Sequence, residues 1–259
     1  MKMEIFKNLY NYRELLKTNV NKEIRGRYKK SFFGILWSFL NPLLQLAVYA
    51  IIFPLILRSS IPNYTIFLCV ALIPWTFFTM TVSQSAATII SNSNIIKKVF
   101  FPREILPISV VTSNAVNFII STIIILAFVI FSGMGLTWYI LFYPFILFIQ
   151  YILLLGISFI ISSITVYFRD LEHIIGIILL ALFYATPIVY PISSLPDNFA
   201  RIMNLNPMAH IVEGYRSVFY YQSMPNMKNL LIVLGLSFIL LIIGYNIFKH
   251  LQKRFAEET

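Results

Sequence analysis

The apolar residues of this chain come in long blocks separated by short charged knots. From Ser31 to Leu57 run 27 residues without Asp, Glu, Lys or Arg, and from Ile105 to Phe168 run 64. The second run is too long for one helix, and its only strong turn signal is Ser132-Gly133-Met134-Gly135. Divided there, the chain offers six apolar spans, near 34–57, 65–89, 106–131, 138–166, 174–190 and 230–248. A bilayer asks for roughly 20 apolar residues per helix. Inside the first span, Asn41–Pro42 either starts a buried helix at its first position or kinks it. The pattern predicts an all-α polytopic membrane protein, with six transmembrane helices in a domain over 34–252 and a separate leading segment, 1–33.

Two segments outside the blocks have a pattern of their own. Tyr12, Leu16, Val20, Ile24 and Tyr28 recur at four-residue steps, which sets an apolar stripe along one side of a helix. With cations on its other face, such a helix lies in the interface plane; a solvated tail is the alternative. Residues 187–229 hold five of the twelve prolines, and the apolar pieces between them are too short to span. Broken backbone near a membrane is tolerated only under a cover of protein or beside a water-filled cavity. Short re-entrant or surface helices capping the outer mouth are expected there, with an ordinary long loop as the other possibility.

Charge sets the orientation. Only 12% of the 259 residues are charged and 59% are apolar, against about 25% charged in a soluble domain, and the mean hydropathy is +0.81. The net charge of +10 sits beside apolar spans rather than along one surface, which points to membrane lipids and not to nucleic acid. With the N-terminus inside, inner segments carry sixteen Lys/Arg and outer segments four, a positive-inside bias that leaves both termini in the cytoplasm. A lone cysteine, Cys69, excludes a disulfide framework and a cysteine metal cluster. The first apolar run begins after 30 polar residues and is too long for a cleavable signal.

No Asp, Glu, Lys, Arg or His falls within the six spans, where ion-coupled transporters and pumps keep such groups. Nor is there a phosphate-binding loop of the form G-x-x-x-x-G-K-[ST], so energy for transport must arrive through another subunit. The inner segment after Ser91-Asn92-Ser93-Asn94, a run that can cap a short helix, sets Lys97, Lys98, Arg103 and Glu104 around Phe100-Phe101-Pro102. A charged, proline-kinked, aromatic elbow suits docking into a partner's groove; a plain positive-inside loop is the competing reading. Arg169 and Asp170 either pair across an interface or solvate a turn. Trp138, Tyr139, Tyr143, Tyr151, Tyr215, Phe219 and Tyr220 crowd the outer half. They either mark the lipid–water boundary or line a path, offering flat faces and hydroxyls to sugars.

Five motifs in order resemble those of the ABC-2 type permeases: Gly34 to Pro42, Phe100 to Pro107, Tyr167 to Leu171, Thr186 to Tyr190, and Leu205 to Met208. The closest branch in resemblance is the membrane subunits that export lipid-linked polysaccharides such as O-antigen, capsule or wall teichoic acid. The resemblance implies a homodimer of six-helix subunits in the bacterial cytoplasmic membrane, bound to two copies of a separate ATPase that holds ATP and Mg. This chain itself then carries no cofactor, no metal and no catalytic residue. Residues 91–104 would dock on the ATPase, through Asn94, Lys97, Lys98, Phe101, Pro102, Arg103 and Glu104. A lipid-linked glycan of this type carries a diphosphate at the depth where the basic arm meets hydrocarbon. Arg25 and Arg27 are expected to grip it in bidentate forks, with Tyr28 anchoring the arm and Lys29 and Lys30 adding charge; a topology signal alone is the other reading. A membrane enzyme or scaffold acting on lipid-linked sugars, and an ion-coupled flippase, are the alternatives in function. The only outer candidates for catalysis are Asp197, His210 and Glu213.

Overall fold

The computed structural model describes residues 10–27, 32, 34–57 and 61–258, and among them the chain is helical without a strand. The arm forms α1, Arg13–Arg27, and α2 is Trp37–Leu57, with Pro42 and Pro54 both inside it. Next come α3 (Tyr64–Ser91), the short α4 (Ser93–Lys98) and α5 (Ile105–Phe131). A 3-10 turn, Trp138–Phe142, leads into α6 (Tyr143–Tyr167), and α7 is Leu171–Tyr184. Two helices, α8 (Asp197–Met203) and α9 (Pro207–Phe219), precede α10 (Met227–Leu251) and a final turn, α11 (Phe255–Glu258).

Among the described residues, four stretches are long and apolar enough to cross a membrane: Tyr64–Lys98, Ile105–Phe131, Trp138–Tyr167 and Met227–Arg254. Of the other two expected spans, α2 runs for 21 residues with Phe39–Pro54 as an apolar stretch inside it, and α7 is a shorter apolar helix. The expected span 174–190 stops at Tyr184 because Thr186 precedes Pro187, and a residue before proline is pushed out of helical backbone. Its 14 residues rise about 21 Å against a hydrocarbon core of about 30 Å.

α3 is the centre of the bundle, buried along nearly its whole length and packed against α2, α5, α6, α7 and α9. Around it, uncharged polar side chains pair between helices. Ser85 Oγ donates to Ser158 Oγ at 2.8 Å, and Asn114 Nδ2 to Gln84 Oε1 at 2.9 Å. The Thr112 and Tyr151 hydroxyls meet at 2.9 Å, those of Thr122 and Tyr143 at 2.8 Å. In hydrocarbon a lone hydroxyl or amide is costly, so these pairs fix which faces meet. α6 and α10 approach through glycines instead: a Cβ on Gly156 would lie 2.7 Å from Leu241 N, and Gly244 rests on the Gly156 carbonyl. Small residues let backbones come this close.

The bundle has two unlike ends. One gathers α1, α4, the 168–170 turn and the C-terminal residues; the other gathers α8, α9 and the α5–α6 turn, where Gly133 and Gly135 take φ of 77° and 73°.

Candidate functional site

At the arm end, Tyr12, Leu16, Val20 and Ile24 are half-buried, the stripe their spacing predicts. It faces protein: α1 lies along α5, and Tyr12, Leu15 and Leu16 rest on a cluster that includes Ile89, Ile96, Phe101 and Leu106. Lys22 Nζ donates to Asn92 Oδ1 at 3.2 Å, pinning the arm to the elbow. Arg25 and Arg27 fall in the last turn of α1; Tyr28, Lys29 and Lys30 lie outside the described residues.

The elbow begins at Asn92. The polar run there does start α4, but without a side-chain cap, because the Asn92 Oδ1 is turned to Lys22 while its Nδ2 donates back to the Thr88 carbonyl at 2.8 Å. Beyond α4 the backbone is extended at Val99 (φ −130°, ψ 132°), and successive side chains of extended backbone point opposite ways. Phe100 is therefore 95% exposed while Phe101 is 7% exposed. The phenylalanine expected to dock points into the core of its own chain, and its neighbour points out, beside exposed Ile95 and Val99. Asn94, Lys97 and Lys98 are exposed and Pro102 is half-buried. Arg103 is turned inward: its Nη1 donates to the Gln252 carbonyl, and its guanidinium stands 6.0 Å from the Phe255 ring centroid. Glu104 is buried. Arg169 and Asp170 are exposed at their turn.

At the opposite end, Pro207 occupies the first position of α9 and Asn206 caps it, its Oδ1 accepting from Met208 N at 2.9 Å. Met208, Val212, Tyr215 and Phe219 face inward at helical spacing, and so does Arg216, which is fully buried. Its Nη1 donates to the Pro187 carbonyl at 2.5 Å and its Nη2 to the Ile188 carbonyl at 2.7 Å. The guanidinium lies 3.6 Å from the Phe67 ring centroid and 3.7 Å from Glu213 Oε2. Nearby, Tyr64 Oη donates to the Val189 carbonyl at 2.8 Å, and Asn206 Nδ2 to the Ala185 carbonyl at 3.2 Å. The irregular backbone where α7 stops short thus has its carbonyls taken by side chains, the condition for such backbone away from water. Arg216 escaped sequence reasoning, which counted it among the outer cations. The signal available was its spacing, eight residues after Met208 on the inward stripe.

The expected aromatic lining divides in the same way. Tyr215 and Phe219 are buried, with Tyr143 5.9 and 5.8 Å from their ring centroids, and Tyr151 is tied to Thr112. Tyr215 Oη donates to Gln150 Oε1 at 3.1 Å, and Gln150 Nε2 to the Pro74 carbonyl at 2.8 Å, a polar chain joining α9, α6 and α3. These rings are interior to one chain. Trp138 is exposed and stacks on Tyr139 at 4.3 Å, and Tyr220 Oη donates to the Pro62 carbonyl at 2.6 Å; these three are at the rim. Asp197, His210 and Glu213 form no joint site. His210 meets the Asn204 carbonyl at 2.8 Å, Glu213 meets Arg216, and Asp197 starts α8. Among the described residues no three His, Cys, Asp or Glu are grouped to hold a metal.

Membrane-length helices joined by uncharged polar seams define an integral membrane protein of the helical-bundle class. A family model for ABC-2 type transporters matches residues 14–220, and the chain belongs to that family. It is 38% identical over 259 residues to an O-antigen export system permease protein RfbA of Klebsiella pneumoniae, covering 99% of both chains. To the protein of the same name from Myxococcus xanthus it is 37% identical over 257 residues, 98% of this chain and 99% of that one. To the polysialic acid transport protein KpsM of Escherichia coli it is 27% identical over 208 residues, 74% and 76% of the two chains.

Proposed function

We propose that this chain is the permease subunit of an ATP-driven exporter that moves a lipid-linked polysaccharide of the O-antigen class across the bacterial cytoplasmic membrane. The observation that carries it is the elbow. It holds Ile95, Val99 and Phe100 outward among Lys97 and Lys98, on a chain with no phosphate-binding loop of its own. An exposed apolar ridge with a basic rim fits a groove on a separate nucleotide-binding subunit, which binds ATP and Mg. The substrate class rests on relatives named for O-antigen export that match this chain end to end. Six crossings, with α7 as the short one, put both termini in the cytoplasm and set the elbow on the ATPase side, in keeping with the sixteen-to-four cation bias. The working unit is a homodimer of permeases with two ATPase copies. On this reading Arg25 and Arg27 meet the lipid diphosphate, and Trp138, Tyr139 and Tyr220 sit at the outer mouth.

Co-expression with a candidate nucleotide-binding subunit tests it. Phe100→Ala should abolish copurification of the ATPase and glycan export while the permease still inserts. Export at the parent rate in Phe100→Ala would remove the elbow from the mechanism. A C-terminal tag labelled from outside intact cells would overturn the topology.

A further inference from the structure

The C-terminal residues close onto the elbow from beneath. The last carbonyls of a helix lack internal partners, and at the end of α10 side chains from across the fold reach two carbonyls, of which that of Gln252 also accepts from Phe255 N. Tyr167 Oη donates to the Leu251 carbonyl at 2.8 Å, and Arg103 Nη1 to that of Gln252. The chain then turns through Gln252–Arg254 into α11. This turn delivers Phe255, fully buried, into the cluster that holds Ile96 of α4 and Phe101 of the elbow. The Phe255 ring lies 5.5 Å from Phe248 and 6.5 Å from Tyr167, centroid to centroid, and α11 touches α4 directly. Elbow, α6 and α10 thus meet on one side chain.

We infer that residues 252–258 are a strut that holds the docking elbow in shape, with Phe255 as its positioning residue. The strut passes motion of the elbow to the glycine-packed α6–α10 pair. The buried face of the elbow (Ile96, Phe101) rests on Phe255 while the opposite face (Ile95, Phe100) is free for a partner. Arg103 serves the strut, as a cation at a helix C-terminus, and not the partner. The coupling role rests on the docking reading above; the shaping role does not.

Two measurements separate them. In the permease alone, Phe255→Ala should speed amide hydrogen exchange over 93–104 by about tenfold, as local opening becomes easier. Phe255→Leu, which keeps apolar bulk, should stay near the parent. In the reconstituted complex, Phe255→Ala should keep ATPase bound but lower glycan exported per ATP by at least about threefold, since push and response are no longer rigidly joined. Unchanged exchange over 93–104 in Phe255→Ala overturns the strut, whatever the ATPase does. Faster exchange with export per ATP unchanged overturns its coupling role. Loss of docking alone is read separately, from Phe100→Ala. A collapse of thermal stability in Phe255→Ala shifts the exchange test to Arg103→Ala, which removes both the cation and the donor to the Gln252 carbonyl; unchanged exchange there likewise overturns the strut.

Discussion

Replacing Gly156 by alanine adds one carbon where the neighbour is backbone, and backbone cannot step aside. The new Cβ would lie 2.7 Å from Leu241 N and 2.8 Å from Leu240 C, whereas carbon contacts settle near 3.5–4.0 Å. α6 and α10 must therefore part by about 0.8–1 Å, and a gap of that size forfeits roughly a quarter to a half of each dispersion contact along the seam. The expected cost is about 1–3 kcal/mol, the range for overpacking, and Gly244→Ala, which meets the Gly156 carbonyl and Ile160 Cγ1, should cost as much. Two other glycines calibrate the effect. A Cβ on Gly214 meets only the side-chain ends of Leu230 and Ile146, at 3.3 and 3.4 Å, so Gly214→Ala should cost under about 1 kcal/mol. Gly235, on the same helix as Gly244, has nothing within 4 Å, so alanine there should be neutral or stabilise by up to about 1 kcal/mol through helix propensity. Equilibrium unfolding in micelles titrated with denaturing detergent, followed by helicity, ranks the four variants. If Gly156→Ala and Gly244→Ala prove as stable as Gly235→Ala, close backbone packing is not what joins these helices.

Three further variants probe the other contacts. Arg216→Lys leaves at least one of the Pro187 and Ile188 carbonyls without its donor and should cost about 1–3 kcal/mol, seen as faster proteolysis between 185 and 206; parent-like resistance would show the guanidinium fork to be dispensable. Gln150→Leu cuts the chain from Tyr215 to the Pro74 carbonyl and should cost about 0.6–1.7 kcal/mol, the range for interhelical bonds in bilayers, in the same unfolding assay; no loss would mean that Tyr215 finds another acceptor. Arg25→Lys with Arg27→Lys keeps the positive charge but removes the fork, so export and substrate-stimulated ATP turnover should fall while insertion stays normal; export at the parent rate would reduce the junction to an orientation signal.

What the sequence made legible was whatever has a period or a run. The stripe Tyr12, Leu16, Val20 and Ile24 is half-buried as its spacing demands, and the Ser132–Gly135 turn is where glycine takes positive φ. What stayed hidden depended on tertiary partners. Phe100 and Phe101 are identical neighbours on extended backbone, so one had to face out, and only the buried cluster around Phe101, with Ile89, Ile96, Leu106 and Phe255 in it, decides which. A search for charges alone passed over Gln150, Ser85 and Asn114, which carry the polar contacts between helices. Counting Arg216 as an outer cation missed that its place on the inward face of α9 outweighs its charge once two carbonyls and Phe67 receive it. At the end of α7 the signal was present, since Pro187 announces the stop, but the apolar run to Tyr190 concealed it.

The bond from Lys22 to Asn92 spans 70 positions of sequence, and this sets an order of events during synthesis. The arm leaves the ribosome first, while the helix it lies along, Ile105–Phe131, is made some 80 residues later. At a translation rate of about 5–20 residues per second, that interval lasts several seconds. Through most of it the stripe of Tyr12, Leu16, Val20 and Ile24 lacks the helix that covers it, and the surface within reach of a chain being threaded into a bilayer is the bilayer. The arm is thus sheltered by lipid first, and exchanges that cover for protein when α5 arrives.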